Sequence, residues 1–249
     1  MFIDTHAHLF DEKIERLKLD LSTILKVLIP TYKIEHFDKV KRFCSYDEKF
    51  CLAVGVHPQY IDTFDFEYFQ NFVKTNLSNI YAIGEIGLDS AYPSFDRQKE
   101  VFIQQVKVAS KYNLPISVHL RGNVFDDFFE IMAQFPEVKC ALHCFCGGKS
   151  ELERASKRGY YISFACNITY KRNVALRKLV SLVPPHLLLI ETDSPSMAPS
   201  GFGRGAVNTS ANVHFVAETL AKELNCSVEK IAKLTTQNAI KLFHLGSKV

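Results

Sequence analysis

The sequence predicts an α/β barrel, a single (β/α)8 domain spanning residues 1–249, and three observations point to it. Short apolar runs alternate with amphipathic helical patterns from one end of the chain to the other, the signature of parallel strands joined by helices. The 249 residues match the roughly 250 typical of such a barrel, and a hydrophobic content of 47% supplies a large core. Histidines and carboxylates fall just after the apolar runs, where the carboxyl ends of parallel strands would gather them on one face. A doubly wound open sheet is the structural alternative, but no glycine-rich dinucleotide loop follows the first run.

Buried parallel strands read as near-continuous apolar runs. They are expected at 2–5, 26–29, 51–55, 80–84, 115–119, 139–143, 160–164 and 187–192. Helical periodicity fills the gaps at 35–45, 66–76, 124–134, 150–157 and 174–182. The clearest helix opens at Asp96 and carries Val101, Phe102, Val106, Val108 and Ala109 before Tyr112 and Asn113. A glycine-rich loop, 199–205, follows the eighth strand. Helices at 211–224 and 228–234 and a last turn near 239–243 close the chain.

The chemistry lies in what ends these runs. His6 and His8 follow the first, and residues two apart on a strand face the same way, so both imidazoles can reach one ion. Composition alone gives about 0.3 such His-x-His pairs, so this pair gains weight only jointly with the others. Glu85 sits between Gly84 and Ile86-Gly87 after the fourth run, and a carboxylate can bridge two cations where a neutral imidazole cannot. His119 and His143 close the fifth and sixth runs, and Asp193 closes the eighth before Pro195. A lone buried histidine is more often hydrogen-bonded than metal-bound. Four imidazoles and two carboxylates at the ends of five strands make a metal-dependent hydrolase the stronger reading. Mixed nitrogen and oxygen donors suit zinc, manganese or similar ions. His57, after the third run, and Arg121, two residues past His119, are the candidate substrate-side groups, against structural hydrogen bonds or an ion pair. Lys171, Arg172 and Arg204 are weaker candidates for phosphate contact, and Tyr170 and Phe202 for stacking on a base.

The formal charge of +3 permits contact with phosphates without the strong basic bias of dedicated nucleic-acid binders. Seven cysteines in no regular framework imply reduced thiols and a cytoplasmic setting. The chain opens on a strand and a site motif, so no signal peptide is expected. No apolar run reaches the ~18 residues of a membrane span.

At these residues the chain resembles the TatD family of metal-dependent deoxyribonucleases and hydrolases. The resemblance runs nearly end to end. It is carried by Asp4-Thr-His-Ala-His-Leu9, Gly55-Val-His-Pro58, Gly84-Glu-Ile-Gly-Leu-Asp89, Leu114-Pro-Ile-Ser-Val-His-Leu-Arg121, His143-Cys-Phe-Cys-Gly147, Glu191-Thr-Asp-Ser-Pro195, Asn208 and Asn238. The stretch from Ser194 to Phe202, with Met197 after the Asp motif, looks like the TatD-related branch. The resemblance implies a TIM barrel with two divalent cations, zinc, magnesium or manganese. One would be held by His6, His8, Glu85 and Asp193, the other by Glu85, His119 and His143, with Asp193 and Glu85 catalytic. The family usually has Ser where Cys146 stands, Asn-x-Pro where Asn208-Thr209-Ser210 stands, and a small residue where Asn123 stands. These differences lie in loops around the site and bear on substrate choice. The expected activity is hydrolysis of phosphodiesters in DNA by metal-activated water. Alternatives are a carbonyl-ester hydrolase such as a D-aminoacyl-tRNA deacylase, or a non-enzymatic, metal-bearing nucleic-acid-binding protein. A monomer is expected, with nucleic acid as its partner and no membrane or obligate protein partner.

Overall fold

A computed structural model describes residues 1–15, 17, 19–203 and 205–246. Its centre is an eight-stranded sheet in which each strand pairs in parallel with the next in the chain. The strands are β1 (Phe2–Asp4), β2 (Ile24–Pro30), β3 (Phe50–Val54), β4 (Ile80–Asp89), β5 (Ile116–Arg121), β6 (Cys140–Leu142), β7 (Tyr161–Phe164) and β8 (Leu188–Ile190). Helices α1 (Glu12–Glu15), α2 (Phe37–Cys44), α3 (Phe66–Thr75), α4 (Phe95–Tyr112), α5 (Phe125–Met132), α6 (Lys149–Lys157) and α7 (Val174–Leu179) fall between them. After β8 come α8 (Val213–Glu223) and α9 (Val228–Phe243). The alternation is the expected barrel, and no glycine-rich crossover interrupts it.

Apolar side chains of the strands fill the interior, and Phe37, Phe69, Phe102 and Phe128 of the outer helices are fully buried against it. The barrel closes between its last and first strands by contacts just beyond them. Thr5 N donates to the Ile190 carbonyl (3.2 Å), Asp193 N to the His6 carbonyl (2.9 Å) and His8 N to the Ser194 carbonyl (2.7 Å). An isolated parallel bridge joins Ala7 and Ser194. The seam therefore lies at the carboxyl end, where the site residues collect.

Several boundaries differ from the sequence expectation, for identifiable reasons. β4 runs on past residue 84 to Asp89, so Glu85 lies within a strand. Its register against β5 is irregular between Ile83 and Ile86, and an irregularity of this kind re-aims a side chain at a functional edge. Gly87 makes the extension feasible: its φ is +151°, and a Cβ there would lie 1.9 Å from the His119 carbonyl oxygen. β5 likewise continues beyond His119 to Arg121. β1 ends at Asp4, so His6 and His8 leave the sheet rather than alternate along it. α9 is one continuous helix where two pieces were expected, because Thr235, Asn238 and Ala239 are buried on the same face as Ile231 and Leu242. Residues 174–182 divide into α7 and a 3-10 turn, Val180–Leu182. Among the described residues no helix is long and apolar enough to cross a membrane.

Candidate active site

The segments leaving β1, β3, β6 and β8, and the carboxyl-terminal parts of β4 and β5, converge on one cavity of about 650 Å³. His8, His57, Glu85, His119, Arg121, His143 and Asp193 line it. His6 is fully buried in its floor. All eight site residues expected from the sequence are brought together.

Glu85 is the centre of the arrangement. Its Oε2 lies 3.5 Å from His6 Nε2 and 3.4 Å from His8 Nε2. Its Oε1 lies 3.1 Å from His119 Nδ1 and 3.0 Å from His143 Nε2. One carboxylate thus presents each oxygen to a different pair of imidazoles. Within each pair the facing nitrogens are 3.3 Å apart. Two nitrogens bound to one tetrahedral cation at about 2.0–2.1 Å would be separated by about 3.3 Å, so each pair is spaced to share an ion. Asp193 Oδ1 stands 3.9 Å from His6 Nε2 and 4.0 Å from His8 Nε2, on the first pair's side. The rings of His6 and His143 stack at 3.8 Å, bringing the two pairs together. Among the described residues, the groups able to hold an ion are His6–His8–Glu85, His6–His143–Asp193 and His57–Glu85–His119.

The last group is limited by a hydrogen bond. His57 follows β3 and caps the 3-10 turn Pro58–Thr63, where its Nδ1 accepts from Gln59 N at 3.1 Å. Burial pushes its pKa down to about 3, so the ring is neutral. Nδ1 is the acceptor, so the proton sits on Nε2, which faces Glu85 Oε1 at 3.6 Å. His57 therefore offers the cavity a donor, not a lone pair.

The outward nitrogens of the other imidazoles are all engaged. His6 Nδ1 meets Ser117 Oγ (3.4 Å) and His8 Nδ1 meets the Pro30 carbonyl (3.2 Å). His119 Nε2 meets Asp89 Oδ2 (3.0 Å) and His143 Nδ1 meets Glu191 Oε1 (3.1 Å). Such contacts fix which nitrogen faces the cavity. The Asp4 carboxylate accepts from the backbone of Thr192 (2.9 Å) and His6 (3.3 Å) and from the Thr192 hydroxyl (2.6 Å). It ties the exits of β1 and β8 together.

Electrostatics separate the carboxylates. Burial raises the Glu85 carboxyl, but His57, His143 and His119 outweigh it and hold it well below its ordinary range. Burial pushes Asp193 up to about 6 against the pull of His143 and His8. Glu85 is a fixed anion, and Asp193 is poised to take up a proton near neutrality.

Asp89, Glu191 and Ser117 carry parts of the site that the sequence reading left unassigned. So do two glutamines of α4. Gln105 holds both backbone groups of Val56 (2.8 and 3.0 Å), just before His57. Gln98 accepts from Asp89 N (2.9 Å) and donates to the Asp89 carbonyl (3.1 Å). Both lie on the buried face of α4 with Val101 and Phe102, and that spacing was the available signal. Arg121 stands exposed at the end of β5, level with Asp89. Lys171 and Arg172 line a neighbouring cavity, and Arg204 lies outside the described residues.

Comparison with known proteins places the whole chain in one family and fold. The family described as "TatD related DNase" matches residues 3–244. The uncharacterized metal-dependent hydrolase YabD of Bacillus subtilis is 32% identical over 260 residues, covering 99% of this chain and all of its own. The uncharacterized metal-dependent hydrolase YcfH of Escherichia coli K12 is 30% identical over 274 residues, covering 98% and 96%. The crystal structure of the TatD homologue YjjV from E. coli K12 superposes with a TM-score of 0.90 at 27% identity over 98% of both chains. The E. coli phosphotriesterase homology protein, at 16% identity and a TM-score of 0.62 over 97% and 98% of the two chains, shares the fold. A match across nearly the whole chain, over a barrel whose strand ends converge on these histidines and carboxylates, gives one conclusion: the chain belongs to the TatD family of metal-dependent hydrolases.

Proposed function

We propose that this protein is a phosphodiesterase acting on DNA, dependent on two divalent cations. The observation that carries the reading is the placing of each Glu85 oxygen against a separate pair of imidazoles whose facing nitrogens are 3.3 Å apart. His6, His8, Glu85 and Asp193 would hold one cation, and Glu85, His119 and His143 the other. The all-nitrogen-and-oxygen donor set suits zinc or manganese, with magnesium a weaker fit. When bound, the pair would supply Lewis acidity to a phosphoryl oxygen and lower the pKa of water to roughly 7.

The chain's own groups supply the rest. Asp193, raised by burial to about 6, takes the proton of the attacking water. His57 donates a hydrogen bond from Nε2–H to a substrate oxygen, and Arg121 grips the phosphate from the rim. A cavity of about 650 Å³ suits a few nucleotides better than a duplex, which favours attack at single-stranded ends. Seven cysteines in no regular framework support a cytoplasmic protein.

Purified protein loaded in turn with zinc, manganese and magnesium tests the reading on end-labelled single strands, closed circular duplex and D-aminoacyl-tRNA. Cation-dependent release of nucleotides from free ends is expected. Hydrolysis of the aminoacyl ester with none of DNA would overturn it. Rapid cutting of closed circles would replace the end-directed mode with an internal one.

A further inference from the structure

We propose that a second cavity beside the active site is a track for a single-stranded phosphodiester chain, holding the part of the substrate that is not being cut. The proposal rests on the phosphodiesterase reading above. This cavity, about 800 Å³, lies between the segment after β7 and the loop after β8. Lys13, Pro195, Ser196 and Met197 line both it and the catalytic cavity, so the two share a wall. Its described lining carries Lys13, Lys171 and Arg172 and no carboxylate. In a chain of net charge +3, that gathers three positive charges on one cavity wall.

The charged side chains are exposed, which suits a mobile polyanion better than a single enclosed phosphate. Two aromatic rings accompany them. Tyr170 lies beneath the Arg172 guanidinium at 5.3 Å, and Phe202 keeps 45% of its surface exposed on the opposite loop. Cations that follow a backbone, interleaved with rings on which bases stack, bind single strands with little sequence preference. A duplex hides its bases from such rings. The larger volume lies beyond the reacting groups, so a minimal diester fills the catalytic cavity and only a longer chain enters the second.

The test uses Lys171→Ala/Arg172→Ala in the cation-loaded protein. Neither residue belongs to the proposed catalytic groups. Fluorescence anisotropy with phosphorothioate oligonucleotides of about twelve nucleotides, one DNA and one RNA, reads binding without turnover. In parallel, bis(4-nitrophenyl) phosphate reads the catalytic cavity alone. The double variant should weaken oligonucleotide binding about tenfold or more. It should also flatten the slope of log K against log salt by about 1.4, since each phosphate neutralised on a single strand contributes about 0.7. Its kcat/KM on the small diester should stay within about twofold. The oligonucleotide that loses more affinity identifies the polymer the track serves. Unchanged affinity and salt slope for both would overturn the track. If the parent protein does not hydrolyse the small diester, the phosphodiesterase reading fails while anisotropy still decides the track.

Discussion

The His6–His8 half of the centre and the His119–His143 half use the same side chains, yet they are braced differently. Behind the first pair stand neutral groups, the Ser117 hydroxyl and the Pro30 carbonyl. Behind the second stand two carboxylates, Asp89 and Glu191. The consequence shows in the protonation of the rings. Burial and the nearby His143 push His6 down to about 4, whereas Glu85 and Asp193 outweigh burial at its partner His8 and raise it. Burial also opposes protonation of His119 and His143, but the acidic partners win and raise both. The negative charge of the first half comes instead from Asp193, in front of the imidazoles and at the cavity. On the proposed reading, the second half is built to hold its cation and the first to work on substrate. On that reading, like pairs of imidazoles acquire different tasks through carboxylates placed behind one pair and in front of the other.

Asp193→Asn should give the largest effect. It removes the proton acceptor of the first half while nearly conserving shape. The kcat should fall by about 10²–10⁴-fold, while the His119–His143 half keeps its cation in elemental analysis. A rate near that of the parent at saturating metal would remove Asp193 from the chemistry and with it the division of labour.

Asp89→Asn addresses the other half. Loss of a carboxylate behind a metal-binding imidazole lowers affinity about 10–100-fold. Titration should show that loss in one binding step only, with Ser117→Ala leaving both steps within about threefold. Equal losses in both variants would mean that the bracing does not distinguish the halves.

A pH series sharpens the same point. His119 and His143 have raised pKa values without metal, so a cation must displace their protons near neutrality. In the first half only His8 is raised, and His6, held near 4, gives up none there, so fewer protons leave that half. Affinity of the His119–His143 half should therefore fall as pH drops from 7 to 6, by up to about tenfold for each proton displaced, and level off above the raised values. Calorimetry in buffers of different ionisation enthalpy reads the protons released. Zero release at neutral pH would contradict the assigned protonation.

Arg121→Ala should have the smallest effect. The guanidinium stands at the rim, and loss of one charged hydrogen bond should raise KM for phosphodiesters about tenfold, with metal content unchanged. Unchanged kinetics would leave Arg121 a surface residue.

The sequence was most legible where chemistry ended an apolar run. His143 and Asp193 stand just past their strands, as their runs implied. Glu85 reached the site by another route, inside a strand whose length the glycines on either side had concealed. His6 and His8 converge although β1 has already ended, because backbone bonds to Ser194 and the Asp193 segment hold their turn. Asp89 and Glu191 were visible in their motifs but not their tasks. Asp89 meets a histidine 30 residues away and Glu191 one 48 residues away, across a register that only strand pairing sets. Gln98 and Gln105 share the spacing of the buried apolar residues of α4, but no motif marked them. They are buried because the loop after β3 and the last residue of β4 offer them backbone groups to bond.

The claim beneath all of this is that Glu85 stands between two cation positions. Diffraction from crystals of the zinc-loaded protein, recorded on both sides of the zinc absorption edge, tests it directly. The account predicts two anomalous peaks, one beside His6 and His8 and one beside His119 and His143, with a Glu85 oxygen directed at each. A single peak, or two peaks with Glu85 turned away from either, would contradict it.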